Sequence, residues 1–258
     1  MIKISAVVLV KNSEKTLERT LASLREFEEV IVYDNGSSDR SMQIAQSYAN
    51  VRLIQGEFLG FGRSKNEAAK HAKHDWILSI DSDEIIDSEL LETLKTKELD
   101  ERCVYKLSFK TFYKNILVKH SGWNRQKIKR LYNKKITAYN LNDVHEEVIT
   151  EGLRTEILKG NVEHYSYENI SQFIQKADRY STLFAQNNVG KRYSSPLKAF
   201  FNAGYSFFRT FVIKRGFLDG YVGLIIAVSH AMTNFYKYIK LYELNLEKSN
   251  ASTHHKTR

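Results

Sequence analysis

Short apolar runs alternate with helical patterns through the first third of the chain. Strands are predicted where apolar and β-branched residues cluster, at residues 4–10, 29–33, 51–55 and 76–80. Between these strands, apolar or small residues at helical spacing predict helices at residues 13–27, 42–48 and 64–73. In the first helix, Leu17, Leu21 and Leu24 would share one face. This alternation predicts an α/β fold, with a parallel sheet covered by helices.

The middle of the chain has a strand-rich pattern instead. Residues 104–112 alternate between polar and apolar side chains, as a half-buried strand does. Further short strands are predicted at residues 128–132, 136–139, 144–149 and 162–167. Asn133, Lys134 and Lys135 separate two of them and suggest a hairpin turn. We therefore expect the α/β domain to finish in mixed β structure.

The last third is helical in pattern and rich in aromatic residues. Phe and Tyr recur from residue 170 to residue 242, interleaved with Lys and Arg. This pattern favours an amphipathic helix at a membrane interface; the alternative is a helical subdomain that packs its aromatic side chains onto the core or a partner. We predict a first domain at 1–168, a helical extension at 169–248 and a polar, disordered tail at 249–258.

Charge and cysteine content narrow the class of protein. The single Cys103 excludes an intramolecular disulfide and fits a reducing compartment. The net charge of +9 favours anionic partners such as nucleic acid, anionic lipid or phosphorylated substrates. The apolar run at the N-terminus stops at Lys11, too early for a secretory signal, and no apolar stretch is long and uncharged enough to predict a transmembrane helix.

Polar residues follow three of the predicted strands. They are Lys11 with Asn12, the stretch 34–39, and the triplet Asp81-Ser82-Asp83. The carboxyl ends of strands in an open parallel sheet lie side by side and form its ligand site. Two carboxylates two residues apart offer hard oxygen ligands to a divalent cation that also binds substrate phosphates. The sequence therefore predicts a site for a metal and a phosphorylated ligand at this edge.

These motifs resemble those of the family 2 glycosyltransferases, which use nucleotide sugars and have the GT-A fold. The matching pieces are Lys11-Asn12-Ser13-Glu14, Asp34-Asn35-Gly36-Ser37-Ser38-Asp39, Gly62-Arg63-Ser64-Lys65-Asn66-Glu67-Ala68 and Ile80-Asp81-Ser82-Asp83-Glu84. Later pieces, at residues 123–132, 144–146, 164–167 and 216–224, are similar to the branch that makes β-1,4-glucosyl linkages in the lipopolysaccharide core. The resemblance implies a GT-A domain at 1–168.

The resemblance also implies roles in donor binding. Asp34 would contact the uracil ring of a UDP-sugar, Asp83 would bind the metal, and Asp81 would lie near the ribose and the metal. Mg²⁺ and Mn²⁺ both suit oxygen ligands. His164 would complete the metal shell or serve as a structural histidine. Two basic residues near the expected nucleotide, Lys11 and Arg63, are candidates for phosphate contacts, with a solvated surface position as the alternative for each.

Inversion at the anomeric carbon requires a base that takes the proton of the acceptor hydroxyl. Glu146 matches the His-Glu pair of the branch and is the predicted base, with Asp143 and Glu147 as rivals. An aromatic residue and a basic cluster suit a sugar face and an anionic acceptor; they are Trp123, Arg125, Lys129 and Arg130. An ordinary solvated hairpin face is the alternative.

The resulting hypothesis is an inverting, metal-dependent hexosyltransferase that moves a hexose, most readily glucose, from a UDP-sugar to a lipid-linked or phosphorylated saccharide. We expect a cytoplasmic enzyme that is peripheral on the inner face of the cytoplasmic membrane, in contact with anionic lipid. No nucleic-acid recognition motif is present, so we expect no nucleic-acid partner. Two alternatives are a sugar nucleotidyltransferase, disfavoured because the first strand is not followed by a Gly-rich loop, and a non-catalytic binding module.

Overall fold

The computed structural model describes residues 1–123, 126–141, 146–167 and 169–254. The strands are β1 Ile2–Val10, β2 Phe27–Asp34, β3 Val51–Gln55, β4 Trp76–Asp81, β5 Glu84–Ile86, β6 Cys103–Tyr113, β7 Ile116–Leu117, β8 Gln126–Asn133 and β9 Arg154–Tyr167. The helices are α1 Leu17–Ser23, α2 Ser41–Gln46, α3 Phe61–Lys70, α4 Ser88–Thr96, α5 Ile170–Asn188, α6 Pro196–Phe208 and α7 Gly220–His254. A π-helical turn, Arg209–Ile213, and a 3₁₀ turn, Gly216–Asp219, lie between α6 and α7.

The described strands form one mixed sheet in the order β3-β2-β1-β4-β8-β6-β9-β5, with β7 paired to β6. β1 runs parallel to β2 and β4, and β2 runs parallel to β3. β8 is antiparallel to both β4 and β6, and β5 is antiparallel to β9. The predicted α/β fold with a parallel first half and a mixed second half is confirmed.

The core of the sheet explains why β1 is nearly all apolar. Helices cover parallel strands on both faces, so Val7 and Val8, which point to opposite faces, are both buried. Leu17, Leu21 and Leu24 pack on one face, as their spacing predicts. The helix that carries them is shorter than the predicted 13–27, because the chain must turn after Ser23 to begin β2 at Phe27.

The predicted hairpin at 133–135 with a strand at 136–139 is wrong. The backbone carbonyl of Asn133 accepts the N–H groups of Ile136 and Thr137, so the chain forms a helical turn there. Tyr139 makes an isolated bridge with Val148 rather than a strand. Part of the predicted strand 144–149, residues 144 and 145, lies outside the described residues.

The chain divides into two compact units. Residues 1–110 and 125–165 form the first, and residues 111–124 and 166–258 form the second. The prediction divides the chain once, at residue 168, whereas the second unit also includes residues 111–124. The domain boundaries stay a prediction. Helix α7 continues to His254, past residue 249 where a tail is predicted, because Leu246, Glu247 and Lys248 are good helix formers.

In the second unit, α7 packs against both α5 and α6. Among the described residues, one helical segment, Gly216–Asn250, is long and apolar enough to cross a membrane by length and composition. Its qualifying window has a mean hydropathy of 1.3 and is 28% buried. The sequence predicted no such helix because Lys237 and Lys240 interrupt the apolar run.

Candidate active site

Asp34 and Asp81 flank the end of the central strand. Asp34 pairs in register with Val10 on one side of β1, and Asp81 pairs with Leu9 on the other. Neighbouring strands are about 4.8 Å apart, so the backbones of these two residues stand roughly 10 Å from each other along one edge of the sheet. This is the edge at which an open parallel sheet binds its ligand.

The Asp34 side chain is buried and organises the turn after β2. Its carboxylate accepts hydrogen bonds from the backbone N–H groups of Gly36 and Ser37, each at 3.2 Å. Gly36 has a φ of 86°, a left-handed conformation that glycine adopts at no steric cost. Asp34 therefore stabilises this turn, and its contact with uracil stays a prediction.

Two buried cations surround Asp81. The Arg130 guanidinium donates to Asp81 Oδ2 at 2.8 Å, and Lys65 Nζ lies 3.2 Å from Asp81 Oδ1. Both cations are themselves almost fully buried. Burial alone would raise the pKa of Asp81, but Arg130 and Lys65 outweigh it and hold that pKa well below its usual range. Asp81 is therefore an ionised, oriented carboxylate.

Glu84 is buried beside this pair and does not cap the helix that follows. One oxygen accepts the Asp81 backbone N–H at 2.8 Å, and the other accepts from Arg130 at 2.7 Å. Burial raises the pKa of Glu84 to about 7 against the opposing effect of Arg130. The helix that follows is capped by Asp87 instead, whose side chain accepts from the Leu90 N–H.

Asp83 and His164 lie together, as the metal-site prediction requires. The Asp83 carboxylate and His164 Nε2 are 3.2 Å apart, because β5 pairs with β9 at Glu84 and His164. Burial would lower the pKa of His164, but the hydrogen bond with Asp83 outweighs it and raises that pKa. Within the described residues, no group of three or more His, Cys, Asp or Glu side chains surrounds a metal position.

Glu146 approaches the same cluster through Lys65. Lys65 Nζ donates to Glu146 Oε1 at 3.0 Å while it contacts Asp81. Asn66, the next residue on α3, exchanges two hydrogen bonds of 2.9 Å with the backbone of Tyr139 and so ties α3 to that part of the chain. The predicted base is thus linked to the predicted donor site by a single buried lysine.

Close approach of the Asn140 backbone to α3 requires glycine at position 62. A Cβ added there would lie 2.1 Å from the carbonyl oxygen of Asn140 and 3.4 Å from Glu146 Cβ. No side chain can be accommodated at the first of these distances without a backbone shift. Close packing against Asn140 therefore explains why glycine occupies position 62 of the family-like motif.

The remaining predicted site residues are exposed, pack in the second unit or lie outside the described residues. Lys11 and Arg63 are both exposed, at the end of β1 and in the first turn of α3. Trp123 belongs to the second unit, where its ring stacks on Tyr167 and Phe173 and its Nε1 donates to His230 at 3.3 Å. This position favours a packing role for Trp123 in place of the predicted acceptor contact. Arg125 and the rival base Asp143 lie outside the described residues.

Sequence reasoning missed the two cations that organise the site. Lys65 belongs to the family-like motif at residues 62–68, in which the sequence predicted a role for Arg63 only. In the structure Lys65 is buried and Arg63 is exposed. Arg130 was grouped with Trp123 as an acceptor-binding cluster, but it is buried against Asp81 and Glu84. No local signal singles out Arg130, since the equally basic Lys129 precedes it in the same strand.

Comparison with known proteins identifies the class of enzyme. The family model described as Glycosyl transferase family 2 matches residues 5–159. An uncharacterized glycosyltransferase of Rickettsia typhi is 29% identical over 265 residues, which cover 97% of this chain and 90% of the relative. The lipopolysaccharide core biosynthesis glycosyltransferase LpsC of Rhizobium meliloti is 26% identical over 255 residues, covering 95% and 94% of the two chains. A crystal structure of S. aureus TarS 1–349 in complex with UDP-GlcNAc has 18% identity and a TM-score of 0.47, with 97% of this chain and 92% of that chain covered.

The family model spans more than half of the chain and includes the whole cluster from Asp34 to Glu146. The chain is therefore a glycosyltransferase, and it belongs to glycosyltransferase family 2. Its sheet is the α/β arrangement of the GT-A fold predicted from the sequence, followed by an aromatic-rich helical extension that ends in α7.

Proposed function

We propose that this enzyme transfers a hexose from a UDP-sugar, with inversion, to a hydroxyl group of a lipid-linked saccharide. The observation that carries the proposal is the placement of Asp34 and Asp81 on either side of β1, with Glu146 linked to Asp81 through Lys65. A nucleotide site and a proton acceptor thereby meet in one unit of the chain.

In this proposal Asp34 selects the nucleotide and Asp81 orients it. A carboxylate that accepts the ring N–H of uracil discriminates strongly, because a base lacking that donor leaves a buried acceptor unpaired. Exposed Arg63 and Lys11 are positioned to meet the diphosphate as it reaches the sheet edge.

A divalent cation fits the Asp83–His164 pair. Carboxylate oxygen and imidazole nitrogen suit Mn²⁺, and the carboxylate alone suits Mg²⁺. Such ions often take one or two protein ligands and complete their shell with phosphate oxygens and water. When bound, the ion would neutralise charge on the UDP leaving group.

Glu146 is the proposed base. Its carboxylate would accept the proton of the acceptor hydroxyl as the hydroxyl oxygen bonds to the anomeric carbon and UDP leaves from the opposite face. Lys65 holds one carboxylate oxygen, which orients the group before the acceptor arrives. A base held in this way does not lose rotational freedom during the reaction.

The acceptor class rests on relatives and resemblance. LpsC, which aligns along nearly the full chain, is named for lipopolysaccharide core biosynthesis. We assign this chain to the same kind of reaction, on a lipopolysaccharide or lipooligosaccharide core or a related surface glycan. Such a reaction takes place at the cytoplasmic face of the membrane, where nucleotide sugars are available. Glucose is the donor sugar that the resemblance favours.

The test separates the binding role from the catalytic role. UDP release from a panel of UDP-sugars is measured with and without rough lipopolysaccharide, and UDP binding with Mn²⁺ is measured by calorimetry. Asp83→Asn should lose Mn²⁺-dependent UDP binding. Glu146→Gln should keep UDP binding within about twofold but lose transfer by about a hundredfold or more, because general-base catalysis is removed.

Glu147→Gln is the matched control. Glu147 is the adjacent carboxylate, is paired with Lys129 and is 62% exposed, so its loss should leave transfer unchanged. A Glu146→Gln enzyme that retains the full transfer rate would show that another group is the base.

A further inference from the structure

Helix α6 presents its apolar face to solvent. Its exposed side chains recur at intervals of three and four residues, so they lie along one stripe. We define the α6 stripe as Leu197, Phe200, Phe201, Tyr205 and Phe208, which are between 52% and 66% exposed. A surface helix of a globular protein ordinarily turns such a stripe toward the core. The amphipathic pattern of α6 is therefore inverted.

The opposite face of α6 is small and polar, and it is this face that packs within the second unit. Ala199 is fully buried. The Ser206 hydroxyl accepts a hydrogen bond of 2.9 Å from Asn234 Nδ2 on α7. The inward face is thus satisfied by α7, and the outward orientation of the aromatic side chains is fixed by specific contacts.

The apolar surface continues beyond the helix. Val212 and Ile213 in the π-helical turn, and Phe217 and Leu218 in the 3₁₀ turn, are also exposed. With roughly 100 Å² from each of its five side chains, the α6 stripe alone offers roughly 500 Å², which is as large as the largest patch on a typical monomer. A surface of this size marks an interaction site.

The charges around the stripe are positive. Residues 196–221 contain four basic residues, Lys198, Arg209, Lys214 and Arg215, and one acidic residue, Asp219. The Asp219 side chain is only 4% exposed and accepts hydrogen bonds from the backbone of Lys119 and His120 and from the Ser121 hydroxyl. The segment consequently offers cations and no exposed carboxylate to whatever covers the stripe.

We propose that the α6 stripe docks the enzyme on an anionic lipid bilayer, with α6 lying in the plane of the membrane surface. Aromatic side chains enter the boundary of headgroups and acyl chains while Lys and Arg meet lipid phosphates. With 13 residues, α6 is about 20 Å long and too short to cross the bilayer. A symmetric dimer through the same face is disfavoured, because it would bring like charges together with no exposed acid from this segment to pair them.

The test uses the full-length protein and vesicles of phosphatidylcholine, with or without phosphatidylglycerol. Binding is measured by flotation. The double variant Phe200→Ser/Phe201→Ser should bind the anionic vesicles about tenfold or more weakly, because two apolar anchors are lost. Arg209→Gln should weaken binding about fivefold, and added salt should weaken it further. These positions are exposed, so folding should be unaffected.

Ile157→Ser is the control for a generic change in surface hydrophobicity, since Ile157 is an exposed apolar residue of the first unit. It should bind vesicles as the wild type does. UDP binding should be unchanged in every variant, which keeps this test independent of the proposed donor site. The proposal is overturned if the double variant binds vesicles normally, or if the stripe instead mediates a dimer in vesicle-free solution that Phe200→Ser/Phe201→Ser dissociates.

Discussion

Lys65 is a buried cation that contacts both Asp81 of the predicted donor site and Glu146, the predicted base, so Lys65→Met is the most informative perturbation. The side chain is 3% exposed, and its Nζ lies 3.2 Å from Asp81 Oδ1 and 3.0 Å from Glu146 Oε1. Burial would lower the pKa of Lys65, but Asp81 outweighs it and raises that pKa, so the lysine is charged. Methionine keeps most of the apolar stem and removes only the charge.

The expected loss of stability follows from the partners that remain. Removing one member of a buried ion pair costs about 3–5 kcal/mol, because the other charge is left unpaired. Here Arg130 still contacts Asp81 at 2.8 Å, and Glu146 is 19% exposed and can be hydrated. We therefore expect the lower end, about 3 kcal/mol, in the free energy of unfolding measured by denaturant titration.

The catalytic effect should exceed what instability alone explains. Without Lys65 the Glu146 carboxylate is no longer held, so transfer by the folded fraction should fall about tenfold or more while UDP affinity changes less. Lys70→Met is the matched control on the same helix, since Lys70 is 70% exposed in its pair with Glu67. It should change stability by less than about 0.5 kcal/mol. Wild-type stability and wild-type transfer in Lys65→Met would refute the reasoning.

Two further perturbations probe the scaffold of the site. Asp87 caps α4 and accepts two hydrogen bonds from Asn161, and these bonds lower the pKa of Asp87 although burial opposes them. Asp87→Ala should therefore lower the free energy of unfolding by about 2 kcal/mol. Because the pKa of Asp87 is lower in the folded than in the unfolded protein, its contribution to stability is full above about pH 4 and is lost as the pH falls further. Denaturant titrations at neutral and acidic pH should therefore show that the free energy of unfolding falls less on acidification in Asp87→Ala than in the wild type. Gly62→Ala should lower transfer more than it lowers UDP binding, because its Cβ would displace the Asn140 carbonyl and would contact Glu146 Cβ at 3.4 Å; an equal rate in kinetic assays would contradict this.

The strand ends were predictable from the sequence because the relevant signals are local. Apolar runs that stop at Asp34 and Asp81 mark buried strands and their ends, and parallel pairing then brings those ends together. The spacing of Leu17, Leu21 and Leu24 likewise predicted which face of α1 is buried. In each case a few neighbouring residues contain the whole signal.

The charge network was not predictable in the same way. Arg130 is 49 residues from Asp81, and Lys65 is 81 residues from Glu146. A basic residue on a strand or helix is ordinarily solvated, so nothing local distinguishes Arg130 from its neighbour Lys129, which lies near the surface with Glu147. Only the folded arrangement shows which cation points inward.

The inverted helix α6 shows a different limit. The aromatic pattern favoured an amphipathic helix at a membrane interface, with packing onto the core or a partner as the alternative. The apolar face of a surface helix ordinarily packs on the core. The structure reverses the orientation because Ala199 and Ser206 provide a surface small enough for close packing within the second unit, where Ser206 bonds to Asn234. Periodicity gives the face of a helix but not the direction in which it points.

The central claim is that the edge of the sheet around Asp34, Asp81 and Asp83 binds a UDP-sugar with a divalent cation. Calorimetric titration of the wild-type enzyme with UDP and with GDP, each in the presence of Mn²⁺ or of EDTA, tests it most directly. The account predicts that UDP binds with Mn²⁺, that EDTA abolishes or strongly weakens this binding, and that GDP does not bind. Equal affinity for UDP and GDP, or UDP binding that is indifferent to EDTA, would contradict it.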